Sequence, residues 1–280
     1  MLKNPFSFYD FLGYLFPGLL CVMLVKVVYS VEGPVTIQAL YSKGIEGSIA
    51  WNDTIPYTVL AYVAGHFISY FSSLTVEPFL IWSYGYPSVF LLNDNHDKSF
   101  FDVNDQLGKC WTNFWKGLVC VFIFPIAFAS LLFGKWLKFR VYVLKPLDGY
   151  LKESIRKKMR LLSEYLSLSP IDENKDIHRI IMHYCYENYK NHIPKYDNYV
   201  ALYGFLRSLS FLFSSLFIYC LWIEVLTIDI HSDIDWPAIC VLALLFCATY
   251  VFYLGFVKFY RRYTLENLMS ITVDPNLKGE

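Results

Sequence analysis

Apolar residues in this chain gather into stretches too long for the one-sided face of a soluble helix. Five of them come close to the roughly 20 residues that a helix needs to cross a bilayer core of about 30 Å. They are residues 10–30, 57–77, 117–134, 202–226 and 238–257. Their edges carry membrane-boundary signals. Lys26 and Tyr29 close the first, Trp111, Trp115 and Lys116 introduce the third, and Lys258, Arg261 and Arg262 follow the fifth. Lysine snorkelling and aromatic belts explain such edges. The pattern predicts an all-α fold: a polytopic transmembrane helix bundle of about five spans, with four as the alternative.

The first stretch is read as a retained span rather than a cleaved signal, because no small-residue cleavage site follows Val25. The second runs Tyr57 to Val76 and is expected to continue past Pro78 as far as the turn-rich Tyr84-Gly85-Tyr86-Pro87-Ser88. The third contains Pro125. The fourth and fifth form a hairpin, in which Gly204 with Ser208 and Ser210 with Ser214 are small-residue pairs that permit close packing.

Between the third and fourth stretches the pattern changes to amphipathic. Residues 135–160 hold nine Lys or Arg against Asp148 and Glu153. Two helices are expected. One, over 148–168, has Ile155, Met159, Leu162 and Leu166 on one face. The other begins at Ser169-Pro170, carries Ile177, Ile180, Ile181, Tyr184 and Cys185, and ends at Pro194. Residues 137–202 thus read as a basic helical domain, too small for a large core alone. The positive-inside rule places it, and the tail 258–280, in the cytoplasm. Five spans then put the N-terminus outside, together with the loop of Asp94, Asp97, Asp102 and Asp105. With the N-terminus inside, one segment would not cross, and the Pro125 segment or the 57–77 helix would be re-entrant.

Candidate chemistry begins with His66, Ser69, Ser73 and Glu77, a polar stripe along the second span. Lipid excludes unpaired polar groups, so the stripe must face protein or water. His66 and Glu77 are separated by about 16 Å of helix rise and cannot bond directly. Asp229, His231, Asp233 and Asp235 alternate, as ligands for a cation in an extended loop would; a solvated turn explains them equally. Arg156, Lys157, Lys158 and Arg160 are expected to contact anionic lipid or a partner. His178 and His183 fall on different helical faces and do not suggest a metal.

Composition narrows the classes. The 280 residues are 56% hydrophobic and only 17% charged, and 24 basic residues balance 24 acidic ones. A soluble domain carries about a quarter charge, and with no net field, nucleic acid is not an expected partner. Seven cysteines form no CxxC pair and are read as packing thiols. No Walker, Rossmann, HExxH or kinase signature occurs, so neither cofactor nor metal is expected.

Several short motifs follow in order. They are Tyr9-Asp10-Phe11-Leu12-Gly13-Tyr14 with Pro17-Gly18, Ala61-Tyr62 with Gly65-His66, and Tyr84-Gly85-Tyr86-Pro87-Ser88. Leu202-Tyr203-Gly204-Phe205-Leu206-Arg207-Ser208 and Phe259-Tyr260-Arg261-Arg262-Tyr263 complete the set. Together they resemble a group of multi-pass bacterial inner-membrane proteins, some associated with defence loci. The resemblance implies an inner-membrane location and carries no activity with it. The expectation is therefore a non-enzymatic anchor, sensor or pore-forming subunit that self-associates in the bilayer and meets a co-encoded cytoplasmic protein. A channel with a path lined by His66 and Ser69, and a membrane enzyme using His66 and Glu77, are the alternatives.

Overall fold

The structure, a computed structural model, describes residues 10–30, 42, 54–93, 108–136, 144–168, 177–227 and 235–277, which contain helices and no strand. Helix α1 covers Phe11–Tyr29, α2 Thr54–Tyr84, α3 Pro87–Leu92 and α4 Gly108–Phe122. Helix α5, Phe124–Ala129, continues as a wide π-helical turn over Ser130–Trp136. Helices α6 (Gly149–Tyr165), α7 (His178–Asn188), α8 (Ile193–Thr227) and α9 (Trp236–Thr272) complete the chain.

Four helical runs are long and apolar enough to cross a membrane: Phe11–Tyr29, Thr54–Leu92, Lys190–Leu226 and Trp236–Thr272. The predicted 117–134 segment is instead the bent pair α4–α5, whose axes meet at 96°, and it would make a fifth crossing only if it acted as one span. The protein is thus a multi-pass, all-α bundle. Proline treats these helices differently. Pro78 lies within unbroken α2. Pro17 follows a π-helical start, Phe11–Leu15, in which the Phe16 N–H reaches the Phe11 carbonyl.

Helices α1 and α2 cross at their smallest residues. A Cβ on Gly18 would fall inside the Ala61 carbonyl, and one on Gly65 inside the Tyr14 carbonyl. Backbone therefore lies on backbone, as small residues allow in membranes. The pair is antiparallel, since Lys26 sits over the Tyr57 ring at the other end. Helices α8 and α9 are also antiparallel, from Cys220 against Val241 to Tyr203 stacked on Tyr260 at 5.0 Å. At about 1.5 Å per residue, each is over 50 Å long, well beyond a 30 Å core.

The excess length projects at one end. There Lys195 pairs with Glu266 (2.6 Å), and the Tyr196 and Ser270 hydroxyls share a 2.6 Å hydrogen bond. Helices α6 and α7 pack on this projection through Ile155, Met159, Leu162, Ile177, Ile181, Tyr184 and Cys185, all buried, whereas Leu166 and Ile180 are exposed. Helix α6 begins at Asp148, which accepts the Leu151 N–H. The expected start of the second amphipathic helix, at 169–170, lies outside the described residues. That helix ends at Asn188 rather than Pro194, and Pro194 instead lies in the first turn of α8. No break occurs at 202, because α8 runs through it.

One hydrophobic core joins the bundle to the projection, from Val76 and Ile123 through Tyr253 and Phe256 to Met159 and Ile271. Helix α2 runs in the same sense as α9, with Phe79 beside Tyr253 and Tyr84 near Val257. Helix α1 runs the opposite way, and Phe16 meets Phe205, half a turn from Tyr203. The start of α1 therefore lies at the end that carries α6 and α7. The five-span parity placed it at the far end, whereas the four long runs taken alone place it here.

Candidate functional site

Where α2 meets α8, charge enters the bundle. Arg207 on α8 is buried, and its Nε donates to the Ser72 hydroxyl (3.2 Å) while a terminal nitrogen pairs with the Glu77 carboxylate. The Glu77 side chain is 26% exposed and that of Arg207 10%, so the pair is largely withdrawn from solvent. A buried guanidinium demands such partners. Ser72 supplies a fixed acceptor because its own hydroxyl donates back to the Ser69 carbonyl (2.8 Å).

The predicted stripe does not stay together. Helix α2 turns Ala61, Gly65, Ile68, Ser69, Ser72, Thr75 and Val76 inward. His66, next to Gly65 and so about 100° around the helix, is exposed. It stacks on Tyr14 at 3.9 Å and meets Tyr62 edge-on at 4.6 Å. Ser73 is half-buried and bonded to the Tyr70 carbonyl (2.6 Å). His66 thus belongs to the outer side of the α1–α2 crossing, and Ser69 to the interior. Glu77 is engaged with Arg207, not with His66.

Beside Arg207, α8 buries Ser208, Ser210 and Ser214 completely. The Ser210 hydroxyl donates to the Thr249 carbonyl (3.1 Å), and Thr249 donates to Leu245 (2.8 Å). Among the described residues, the Ser208 and Ser214 hydroxyls find no hydrogen-bond partner. Their small size, more than their polarity, is what the α8–α9 contact uses.

The basic residues of α6 divide into two sets. Arg156 donates to the Leu92 carbonyl (3.1 Å), and the Lys158 ammonium donates to the Asp274 and Leu277 carbonyls (2.7 and 2.6 Å). These two cap the C-terminal end of α3 and the buried turn that follows α9. Lys157 and Arg160 point to solvent. Of the proposed cation loop, Asp235 caps α9 by accepting the Ala238 N–H (3.2 Å), while Asp229, His231 and Asp233 lie outside the described residues. Among the described residues, no group of three His, Cys, Asp or Glu is placed to hold a metal. His178 is buried and its Nε2 meets the Asn267 amide at 3.1 Å; His183 is exposed. Burial pushes the Cys185 thiol up to about 12, which leaves it an inert packing group.

A buried carboxylate fastens the end of α9. Asp274 accepts the Tyr184 hydroxyl (2.6 Å) and the Asn276 N–H (2.8 Å). Burial alone would raise its pKa, but the Tyr184 hydroxyl, the neighbouring Tyr189 hydroxyl, the Asn276 N–H and the Lys158 ammonium outweigh it and hold the carboxyl below its usual range. A depressed folded value means that the unfolded chain binds the proton more readily. The stabilisation is therefore complete well above the ordinary value of about 3.9 and is lost as pH falls through the lower folded value. Asp274→Asn should cost about 1–3 kcal/mol at pH 7. The mutant and wild-type unfolding midpoints should converge as pH falls below the ordinary carboxyl value of about 3.9. Parallel curves across that range would show that Asp274 does not titrate in this window.

Comparison with protein-family models, curated proteins and solved structures returns no match.

Sequence reasoning noted Arg207 only as part of the Leu202–Ser208 motif. The signal that could have found its role was present: an arginine followed by an apolar run with three buried serines needs a counter-charge. The partner is 130 residues away in sequence, and no local pattern points to it.

Proposed function

We propose that this protein is a non-enzymatic anchor of the bacterial inner membrane, which presents α6, α7 and the projecting ends of α8 and α9 to a cytoplasmic partner. The observation that carries this reading is continuity. Helices α8 and α9 run unbroken from the bilayer into the projection, and one core joins the two parts. Displacement of the projection therefore acts directly on the bundle, where Glu77–Arg207 ties α2 to the same helix.

The outward features suit docking of an acidic protein. Lys157 and Arg160 are exposed on α6, with Tyr165, Leu166 and Ile180 exposed near them in sequence or on α7. The nine basic residues of 135–160 favour a cytoplasmic location for this end. A channel path through His66 and Ser69 has less support, because one faces outward and the other inward. Self-association through the small-residue pairs also has less support, since Gly18, Gly65, Gly204, Ser208, Ser210 and Ser214 are buried inside the chain.

A photo-crosslinking amino acid at position 157 or 160, activated in native membranes, tests the proposal. A discrete adduct with a soluble protein is expected. It should disappear when the remaining charge of the pair is reversed (Arg160→Glu or Lys157→Glu), with the unfolding midpoint unchanged. Adducts to lipid alone would replace docking with a headgroup-contact role.

A further inference from the structure

The bent pair α4–α5 is the part of the fold that the anchor reading does not use. Its break has a clear origin. Pro125 cannot donate to the Val121 carbonyl, Ile123 leaves helical geometry (φ −115°, ψ 32°), and the Ile126 and Ala127 N–H groups restart the helix on the Ile123 carbonyl. Beyond the break, residues 124–136 rise about 20 Å, which is short of a 30 Å core.

Both flanks of the pair return to one level. Lys116 in α4 lies over the Trp82 ring at 6.0 Å, and Gly134 lies beside the Tyr84 hydroxyl, so the two meet α2 within a single turn. Further out, the Leu147 N–H donates to the Leu91 carbonyl (3.1 Å). The chain leaves α3 and comes back to α3 at the end that carries α6 and α7.

Helix α4 is also inside-out for a helix in water. Among its described side chains Lys116 and Val119 are buried, while Trp111, Phe114, Trp115, Val121 and Phe122 are exposed. Trp111 stacks on Phe114 at 5.7 Å and meets Trp115 edge-on at 5.9 Å, making an aromatic plate. Beyond the bend, Phe124 and Phe128 of α5, stacked at 5.7 Å, and Leu131 of its π-helical continuation are exposed too. Exposed apolar side chains of this kind on a membrane bundle are matched by lipid, and tryptophan favours the headgroup boundary.

We propose that α4–α5 is a re-entrant element that dips into the leaflet on the side of α6 and α7, with the Trp111–Phe114–Trp115 plate against boundary lipid. Four helices then cross the bilayer, and both ends of the described chain lie on one side. Asn93 and Gly108 lie on that side as well.

Two measurements on the full chain in lipid vesicles test this. Single cysteines replacing Asn93, Gly149 and Ser30 in a cysteine-free background are labelled with an impermeant maleimide. Asn93→Cys and Gly149→Cys should react from the same side, and Ser30→Cys from the other. Emission lost on Trp111→Phe and Trp115→Phe should be quenched more by lipids brominated near the glycerol than by lipids brominated at the chain ends. Labelling of positions 93 and 149 from opposite sides would establish a crossing and overturn the proposal. Stronger quenching by chain-end bromines would do the same. Absence of quenching would place the plate outside the lipid and overturn the proposal as well.

Discussion

Arg207→Ala should destabilise the bundle by about 3–5 kcal/mol, the range for removing one partner from a buried ion pair. The loss arises because Glu77 keeps its charge and Ser72 loses its donor, in surroundings where neither is solvated well. The pair itself need not be a net gain over apolar packing. Arg207→Met combined with Glu77→Gln should therefore recover most of the loss, and the coupling between the two sites should exceed either residue's effect on distant positions. Unfolding in mixed detergent, followed by circular dichroism, supplies the four corners of that cycle. A cost below about 1 kcal/mol for Arg207→Ala, typical of a solvated surface pair, would show that water reaches the pair freely.

Gly65→Ala should separate α1 from α2, even though alanine is the better helix former. The added methyl has no space, because its position is occupied by the backbone carbonyl of Tyr14, and Gly18→Ala meets the carbonyl of Ala61 in the same way. Backbone cannot rotate aside as a side chain can, so the strain should reach or exceed the 1–3 kcal/mol usual for overpacked sites. Gly117→Ala provides the contrast. Nothing lies within 4 Å of its Cβ position, and the change should be neutral or stabilising by up to about 1 kcal/mol. The distance between spin labels at positions 26 and 57, at the far end of the same helix pair, reports the separation. It should be unchanged in the Gly117→Ala background and longer with Gly65→Ala. An unchanged distance with Gly65→Ala would mean that the close approach is not maintained in the membrane.

These expectations rest on features of different legibility. Helix positions were readable because a run of apolar residues is a local property and lipid permits few alternatives to helix. The turn at Tyr84–Ser88 was readable for a similar reason: Gly85 takes a positive φ (82°) that few other residues adopt, and Pro87 starts the next helix. The buried faces of α6 and α7 followed from their spacing, except Leu166 and Ile180 at the margins.

The polar stripe of α2 was misleading because hydroxyls do not need polar neighbours. Ser72, Ser73 and Thr75 satisfy themselves on their own helix, so their spacing says little about which side faces inward. Gly65 decides that instead, and it turns His66 outward. Proline was equally ambiguous. Pro78 continues a helix and Pro125 follows a break, although each looks alike within an apolar run. What differs is packing: the restart after Ile123 is held by Ile123 and Ile126, both fully buried in the core.

Local chemistry thus determined that the chain is an all-α membrane bundle, where its long helices lie, and which amphipathic helices stand outside. Those properties depend on residues within one or two turns of one another. The joining of Glu77 to Arg207, the backbone contact of Gly18 and Gly65 with α2 and α1, and the return of α4–α5 to its starting level depend on residues 40 to 130 positions apart. They are set by which helices touch, and the close packing that makes them touch exists only in the assembled bundle.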